Sequence, residues 1–276
     1  MSRWVGRDGL LTRPYRVAGR FVTLRRIYSW LQARLEPEAV DWSPRGSLFP
    51  DFRPDACCAE LGRRSVAPGP MLPENIVAAI RAFGLTAPCH RPSDARPFRH
   101  ADVSAGYLID GGPVPVGDVD RPETCPAIDS LRRDPALLAV ARGHLGYWPR
   151  HADTRLYWSF IGAIADSARR DHGQTIDFHY DVPWFNAVYV YFYLTDTDRD
   201  SGAHVVLPGS ALDKPLRFIP AGCTRDDSAV DAYYGAGRAM IVQGPAGFGF
   251  FEDPYCFHNA LVPMTHDRLM LQIRYR

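Results

Sequence analysis

A histidine and an aspartate stand two residues apart in the stretch DFHYDVPWF, where His179 and Asp181 lie among aromatic residues and shortly before Pro183. In a β-strand, residues i and i+2 project from the same face, about 7 Å apart, so an imidazole and a carboxylate at this spacing can reach one metal ion. A half-buried histidine that hydrogen-bonds a nearby carboxylate is the more frequent outcome of such a triplet. Alone, the pair is compatible with either interpretation.

A second histidine and an arginine follow in FHNALVPMTHDRLMLQIRYR, where His258 precedes Arg268 by ten residues. Two histidines and one carboxylate form the facial triad that binds non-haem iron and leaves coordination positions open. The strand-like run that starts at Arg268 has one apolar side and one mixed side, and the mixed side carries Arg268, Met270, Gln272 and Arg274. An arginine on the mixed side can point into a barrel and hold a carboxylate with two hydrogen bonds. The alternative is a terminal arginine that pairs with Asp267 or with solvent.

The segments around these residues alternate with a period of two. From about residue 154, short aromatic and β-branched runs are separated by turn-rich joints, which predicts strands in RLYWSFIG, QTIDFHYD, AVYVYFYL, AHVVLPGS, AMIVQGP, FGFFED and RLMLQIRY. Because most of these runs have no helical pattern between them, an antiparallel sandwich or barrel is the expected architecture. The candidate ligands would then project from strands of one barrel.

The first half of the chain has a different pattern. Helical periodicity predicts a helix in VTLRRIYSWLQARL, a second from Pro73 to Gly84, and a third in DSLRRDPALLAVARGHLG, with a fresh turn opening at Asp134-Pro135. The Pro- and Gly-rich stretches between them, such as IDGGPVPVGDVDRPETCP, are typical of surface loops. For 276 residues we expect a single domain, in which residues 1–153 elaborate and cover a core formed by residues 154–276.

Composition excludes several classes of partner. A formal net charge of +1, with 46% hydrophobic and 23% charged residues, is typical of a globular protein and gives no electrostatic reason to expect nucleic acid or an acidic membrane as a partner. No apolar run is long enough for a signal peptide or a membrane span. The six cysteines lack Cys-x-x-Cys spacing and are expected to be reduced thiols, so we predict a cytoplasmic protein. Lys214 is the single lysine, a bias that points to a GC-rich bacterial genome.

Three stretches in order, FHYD, LTDTDRDSGAHVVLPGS and FHNALVPMTHDRLMLQIRY, resemble the phytanoyl-CoA dioxygenase-like (PhyH-type) branch of the iron(II)/2-oxoglutarate-dependent oxygenases. The resemblance covers residues 154–276 and implies a mostly β fold with flanking helices around a double-stranded β-helix (jelly-roll, cupin-like) core. It also implies that His179, Asp181 and His258 bind Fe(II), that Arg268 binds the distal carboxylate of 2-oxoglutarate, and that O2 is the second cosubstrate. Tyr191 matches a position beside the cosubstrate, although a packed core tyrosine is an equal alternative.

The resemblance is not complete. Ala211 and Ala260 stand where the family often has a histidine and a small polar residue, and the second departure leaves part of the cosubstrate contact unexplained. His204 and His266 match no motif position and are read as structural or exposed. Asp181 is informative about the reaction, because related halogenases have a small residue there so that chloride can bind, and a carboxylate therefore favours oxygenation.

The resemblance implies an oxygenase that hydroxylates, cyclises or desaturates a small molecule, with release of succinate and CO2, in the biosynthesis of a bacterial secondary metabolite such as an antibiotic. An acyl-CoA or carrier-bound acyl substrate is the alternative within the family. A metal-binding jelly roll without turnover, or a zinc hydrolase, is the alternative outside the family. Arg268 disfavours both, because neither needs an arginine that binds a carboxylate. Trp184, Tyr180 and Tyr157 are candidate walls of the substrate pocket and equally candidate core residues; the sequence does not indicate an oligomeric state.

Overall fold

The computed structural model describes residues 18–35, 46–92, 94–219 and 223–276. The helices in these ranges are α1 (Val22–Arg34), α2 (Pro54–Arg64), α3 (Glu74–Thr86), α4 (Pro126–Leu131), α5 (Pro135–Leu145), α6 (Asp166–Asp171) and α7 (Asp227–Tyr234). The strands are β1 (Val66–Pro68), β2 (Cys89–Arg91), β3 (Asp94–Phe98), β4 (Val103–Ser104), β5 (Tyr107–Leu108), β6 (Val116–Val119), β7 (Ala152–Ser159), β8 (Val188–Tyr193), β9 (His204–Val206), β10 (Met240–Val242), β11 (Gly249–Glu252), β12 (His258–Ala260) and β13 (Arg268–Tyr275).

Two antiparallel sheets form the core of the molecule. The larger sheet has eight strands in the order β1-β11-β8-β13-β7-β6-β2-β3, and the smaller has three in the order β10-β9-β12. Side chains from both sheets meet in one buried cluster, where Tyr191 and Met270 of the larger sheet lie with Val206 and Val242 of the smaller. This arrangement confirms the predicted mostly β fold with a double-stranded β-helix core.

The larger sheet has an apolar outer face. Leu156 of β7, Val190 of β8 and Leu271 of β13 are fully buried there, in the same cluster as Ile80 of α3 and Leu137 of α5. Burial of an aliphatic side chain of this size stabilises the fold by about 1.5–3 kcal/mol. Helices α3 and α5 therefore pack on the outer face of the sheet and contribute to its stability.

The inner face of the same sheet, which faces the smaller sheet, carries buried polar residues among aromatic and apolar ones. Arg268 and Gln272 of β13 and Glu252 of β11 are each less than 5% exposed, and Tyr191 of β8 lies beside them. The alternation of side chains along a strand produces this separation, because neighbouring residues project from opposite faces. The polar residues that could do chemistry are thus collected between the two sheets.

Helix α1 contacts the turn between β11 and β12, which leads to His258. Arg25 of α1 is buried and donates from Nη1 to both carboxylate oxygens of Asp253, each at 3.1 Å. The same guanidinium lies 4.0 Å from the ring centroid of Tyr255. The first turns of the described chain and residues 253–255 therefore pack as one unit.

The predicted helices of the first half are confirmed. The second ends two residues beyond Gly84, and the third is divided into α4 and α5, with Asp134 accepting hydrogen bonds from the first amides of α5. Two predictions differ from the structure. Residues 174–181 contain no regular strand, and Val116–Val119, expected in a surface loop, is a fully buried strand between β2 and β7.

The division into a covering first half and a core second half stays a prediction. Strands from before residue 120 extend the eight-stranded sheet along one side, and β1 extends it along the other. Within the described part of the chain, no helix combines the length and hydrophobicity that a membrane crossing requires.

Candidate metal centre

The structure brings His179, Asp181 and His258 together. His179 lies in an irregular segment that is held to β12 by two backbone hydrogen bonds, His179 N–H to the His258 carbonyl at 3.0 Å and His258 N–H to the His179 carbonyl at 2.8 Å. Asp181 N–H donates to the Pro254 carbonyl at 2.8 Å. The candidate ligand atoms of the three side chains lie within 4.8 Å of one another. The two positions distant in sequence are therefore fixed by backbone pairing.

Both histidines are oriented in the same way by their own backbone. Nδ1 of His179 lies 3.1 Å from the Asp177 carbonyl oxygen, and Nδ1 of His258 lies 3.0 Å from the Cys256 carbonyl oxygen. A carbonyl oxygen can only accept, so Nδ1 must carry the proton in each ring. In the neutral form Nε2 then keeps its lone pair, which is the state that a metal requires.

Electrostatics keep His258 and Asp181 in states that can bind a metal. Burial lowers the pKa of His258 to about 4, although Glu252 opposes the shift, so this imidazole is neutral at pH 7. Burial opposes ionisation of Asp181, but His258 and His179 outweigh it and hold the pKa of this carboxyl below its usual value. A neutral His258 imidazole and an ionised Asp181 are two of the three donors that a facial triad needs.

Arg268 is a buried arginine that has no carboxylate partner in the part of the chain that the structure describes. It is 1% exposed, and its guanidinium donates from Nη1 to the Gly202 carbonyl and from Nη2 to Ser159 Oγ at 2.8 Å. Its Nε has no hydrogen-bond partner among the described residues. Asp267 instead accepts from Ile161 N–H at 2.9 Å and lies 3.1 Å from Nε2 of His100. The alternative in which Asp267 pairs with Arg268 is therefore wrong.

Tyr191 and Tyr157 lie on the same inner face as Arg268. The Tyr191 hydroxyl accepts a hydrogen bond from Gln272 Nε2 at 2.8 Å, and its ring stacks on Phe250 with centroids 4.9 Å apart. Burial, with Glu252 nearby, raises the pKa of Tyr191 well above its usual value. The Tyr157 ring centroid lies 5.8 Å from Cζ of Arg268. The roles of both tyrosines stay predictions.

The other two candidate pocket residues have mainly structural contacts. Tyr180 is 1% exposed and packs edge to face on Phe257, on the side of its segment opposite His179 and Asp181. Trp184 is half-buried and donates from Nε1 to the Tyr28 hydroxyl of α1 at 3.2 Å. These contacts are sufficient to explain both side chains without a substrate.

Sequence reasoning missed a buried pair, Glu252 and His204. Glu252 is fully buried, and its Oε2 lies 2.6 Å from His204 Nε2, while its Oε1 lies 3.2 Å from His258 Nδ1. Burial raises the pKa of Glu252 to about 7 and lowers that of His204 to about 3. His204, which matches no family motif, lies close enough to Arg268 for the guanidinium charge to lower its pKa further. The sequence offered one indication of this pair: Glu252 in FGFFED is two residues from Phe250, so both side chains project from the same, inward face of the strand.

A second group of possible ligands overlaps the first. Glu252, Cys256 and His258 also place candidate ligand atoms within 4.8 Å of one another. However, burial raises the pKa of the Cys256 thiol well above its usual value, with Glu252 and Asp253 adding to the shift, and a metal needs the thiolate. In this group His258 would have to bind through Nδ1, which already faces the Cys256 carbonyl. The donor chemistry therefore favours the group with His179 and Asp181.

A surface groove of about 540 Å³ lies between Ala105, the 161–164 segment and the 262–264 segment. It is lined by none of the three candidate ligands. The groove is nevertheless near the Arg268 end of the barrel, because Ile161 follows Ser159 by two residues and donates to Asp267. We assign no ligand to it.

Comparison with known proteins places the chain by its fold. No protein-family model and no curated protein matches it in sequence. Among solved structures, the non-heme alpha ketoglutarate dependent carbocyclase SnoK from nogalamycin biosynthesis has a TM-score of 0.57 and 15% identity, over 84% of this chain and 86% of that one. The alpha ketoglutarate dependent epimerase SnoN from the same biosynthesis has a TM-score of 0.55 and 16% identity, over 80% and 82%.

EctD from S. alaskensis, solved with bound Fe, has a TM-score of 0.55 and 14% identity, over 84% of this chain and 82% of that one. At these identities the likeness establishes the fold that the chains share. The chain spans more than four-fifths of each of these three proteins, so the shared fold includes elements outside the two sheets.

Proposed function

We propose that this protein is a non-haem Fe(II)/2-oxoglutarate-dependent oxygenase of the phytanoyl-CoA dioxygenase-like branch, with His179, Asp181 and His258 as iron ligands. The observation that carries the proposal is Arg268, a buried guanidinium with an unpaired Nε and no carboxylate partner among the described residues. An unpaired buried charge is costly, whereas a bound dicarboxylate would neutralise it with charge-assisted hydrogen bonds. A zinc hydrolase or a simple metal-binding jelly roll has no need of such a group.

The side chains have separate tasks in this proposal. Bound iron with 2-oxoglutarate and O2 supplies an oxidant for a substrate C–H bond and yields succinate and CO2. His179 and His258 would bind the iron through the Nε2 lone pair, because their Nδ1 protons are directed at backbone carbonyl oxygens. Asp181 fills the position that halogenases leave open for chloride, which favours oxygenation. Arg268 orients the cosubstrate through its distal carboxylate.

The substrate in this proposal is a free small molecule of bacterial secondary metabolism, and the enzyme acts in the cytoplasm. The fold is shared with a carbocyclase and an epimerase from nogalamycin biosynthesis, so ring closure or stereochemical inversion are reaction outcomes to test beside hydroxylation. Screening of candidate metabolites by mass separates them: hydroxylation adds one oxygen, cyclisation or desaturation removes two hydrogens, and epimerisation leaves the mass unchanged.

The direct test is anaerobic titration of the purified protein with Fe(II) and 2-oxoglutarate, followed by measurement of succinate after air is admitted. We expect both ligands to bind and succinate to form slowly even without substrate. Asp181→Ala should lose iron binding, whereas Asp171→Ala, which removes an exposed carboxylate at the end of α6, should retain it. Failure of the iron-loaded protein to bind 2-oxoglutarate would exclude the oxygenase.

A further inference from the structure

Glu252 connects the two sheets through the metal centre. It lies on β11 of the larger sheet, and its Oε2 is fixed at 2.6 Å from Nε2 of His204, on β9 of the smaller sheet. At this separation a proton must lie between the two atoms, so the carboxyl group cannot rotate freely. The other oxygen, Oε1, is thereby directed at His258, 3.2 Å from Nδ1.

This second oxygen is incompletely satisfied. Oε1 of Glu252 receives no well-directed hydrogen bond from the described residues, because the Nδ1 proton of His258 is directed at the Cys256 carbonyl oxygen at 3.0 Å. A fully buried carboxylate oxygen in this state costs free energy in the metal-free protein. Because Oε1 of Glu252 lowers stability and faces the candidate ligand His258, we looked for a role in metal binding.

We infer that Glu252 is a positioning residue that holds the His258 imidazole by charge, keeps its Nε2 directed at His179 and Asp181, and so strengthens metal binding. A metal at Nε2 withdraws electron density from the ring and makes the Nδ1 proton more positive, which increases its attraction to the carboxylate. The free energy lost by burying Oε1 is then recovered when the metal binds. His204 contributes by fixing the orientation of Glu252. This inference rests on the proposed function, because it requires a metal at the three ligands.

The test compares Glu252→Gln with the wild-type protein by anaerobic Fe(II) competition against a chelator and by thermal melting with and without Fe(II). We expect the Fe(II) affinity to fall about 10- to 100-fold, which is the usual cost of removing a partner of a metal-binding histidine. The melting temperature of the metal-free variant should equal or exceed that of the wild type, because a buried, poorly satisfied carboxylate has been removed. A residue with a purely structural role would lower it instead.

Two further variants complete the test. Glu252→Leu removes the charge with an apolar side chain of similar volume and should show the same weaker iron binding and the same or higher metal-free melting temperature. Glu74→Gln, at an exposed glutamate in the first turn of α3, is the matched control and should change neither quantity.

Two results would overturn the inference while leaving the proposed function intact, and a third would overturn it together with the proposed set of iron ligands. The first is an Fe(II) affinity of both Glu252 variants within about twofold of the wild type. The second is a lower metal-free melting temperature in both variants. The third is complete loss of metal in Glu252→Gln, retention in Asp181→Ala, and a thiolate charge-transfer band in the Co(II)-loaded wild type, which would make Glu252 a ligand beside Cys256. A wild-type protein that binds no Fe(II) would overturn both proposals together.

Discussion

On the outer face of β13, Leu269, Leu271 and Ile273 are fully buried against helices, whereas on the inner face of the same strand Arg268 and Gln272 are buried almost as completely. Burial alone therefore does not distinguish the two faces. The outer residues gain free energy by leaving water, while the inner polar residues lose hydration that their partners replace only in part. Helices α3 and α5 thus stabilise a sheet whose other face holds the buried polar groups.

This comparison teaches that the two faces should respond differently to substitution. Changes on the outer face should lower the free energy of unfolding and leave ligand affinity intact. Changes on the inner face should lower ligand affinity and leave the free energy of unfolding nearly constant, or raise it. A set of paired variants can test whether the separation holds.

The largest effect is expected at Arg268. Arg268→Ala should weaken 2-oxoglutarate binding by about 10³-fold, in the range of 2–5 kcal/mol found when one partner of a buried charge pair is removed. Iron binding should remain, because Arg268 is not among the candidate ligands. Isothermal titration with 2-oxoglutarate in the presence of Fe(II) measures the loss.

Ser159→Ala is the graded control for Arg268. It removes only the hydroxyl that accepts from Nη2 at 2.8 Å, so the loss of 2-oxoglutarate affinity should be smaller. Equal 2-oxoglutarate affinities in Arg268→Ala and the wild type would show that the arginine is not the carboxylate partner.

On the outer face, Leu271→Ala should lower the free energy of unfolding by about 3 kcal/mol, because a fully buried leucine leaves a cavity that the sheet cannot close. Denaturant unfolding measures this change. The iron affinity of the folded protein should be unchanged, although Leu271 is adjacent in sequence to Gln272 and Met270. The exposed Leu24 of α1 provides the control, since Leu24→Ala should cost within about 0.5 kcal/mol. Loss of iron binding in Leu271→Ala would contradict the separation of the faces.

Lys214 is a buried charged group on the outer side of the smaller sheet, and it tests whether such a group lowers stability there as well. Its buried Nζ lies 4.0 Å and 3.8 Å from the ring centroids of Tyr180 and Phe257. Burial lowers the pKa of this amine to about 7, below the value near 10.4 of an unfolded chain. Between these pH values the unfolded chain binds more protons than the folded protein does. Burial of the amine therefore lowers the free energy of unfolding by its full amount below pH 7, and by less as the pH rises toward 10.

Lys214→Met should therefore raise the free energy of unfolding, by about 2 kcal/mol at pH 6 and by progressively less toward pH 10. Melting temperatures at the two pH values measure the difference. In Arg81→Met, where an exposed arginine of α3 is removed, the difference from wild type should not depend on pH in this window. A gain in Lys214→Met that is equal at pH 6 and pH 10 would show that the amine is not protonated differently in the two states.

The smallest effect is expected at Tyr191, compared with a tyrosine of the outer face. Tyr191→Phe should weaken 2-oxoglutarate binding about fivefold, or about 1 kcal/mol, by removing the hydroxyl that accepts from Gln272. Tyr275→Phe removes an outer-face hydroxyl that donates to the Arg132 carbonyl at 3.2 Å, and should lower stability by a similar amount with no change in 2-oxoglutarate affinity. If Tyr275→Phe weakened 2-oxoglutarate binding and Tyr191→Phe only lowered stability, the two faces would not have the separate roles described above.

The predictability of each element from the sequence followed the strength of its local pattern. β13 and β8 were predicted because eight and six consecutive residues alternate, and α1 because its apolar residues recur at helical spacing. β1 and β2 have only three residues each and β6 has four, and they stand among helical and loop-like segments. The equally short β9 and β10 lie in the part of the chain where strand-like runs follow one another. The strand conformation of β1, β2 and β6 comes from pairing with distant partners rather than from local preference.

The candidate site divides in the same way. His179, Asp181, His258 and Arg268 were found because motif order and spacing are properties of the sequence. His204 and Glu252 are 48 residues apart and come together only when β9 of one sheet faces β11 of the other. A buried carboxylate at an inward strand position was visible in FGFFED, but its histidine partner could be identified only from the fold.

The ion pair of Arg25 and Asp253 has a consequence for the evolution of this protein. Asp253 directly follows Glu252 and lies five residues before His258, while Arg25 belongs to a helix more than two hundred residues earlier. Exchange of the first helix with that of a relative would leave a buried aspartate without its cation unless both positions were exchanged together. Recombination that joins a new amino-terminal segment to this barrel is therefore constrained to donors that carry the matching arginine. Libraries of chimeras should be built with that pair kept constant.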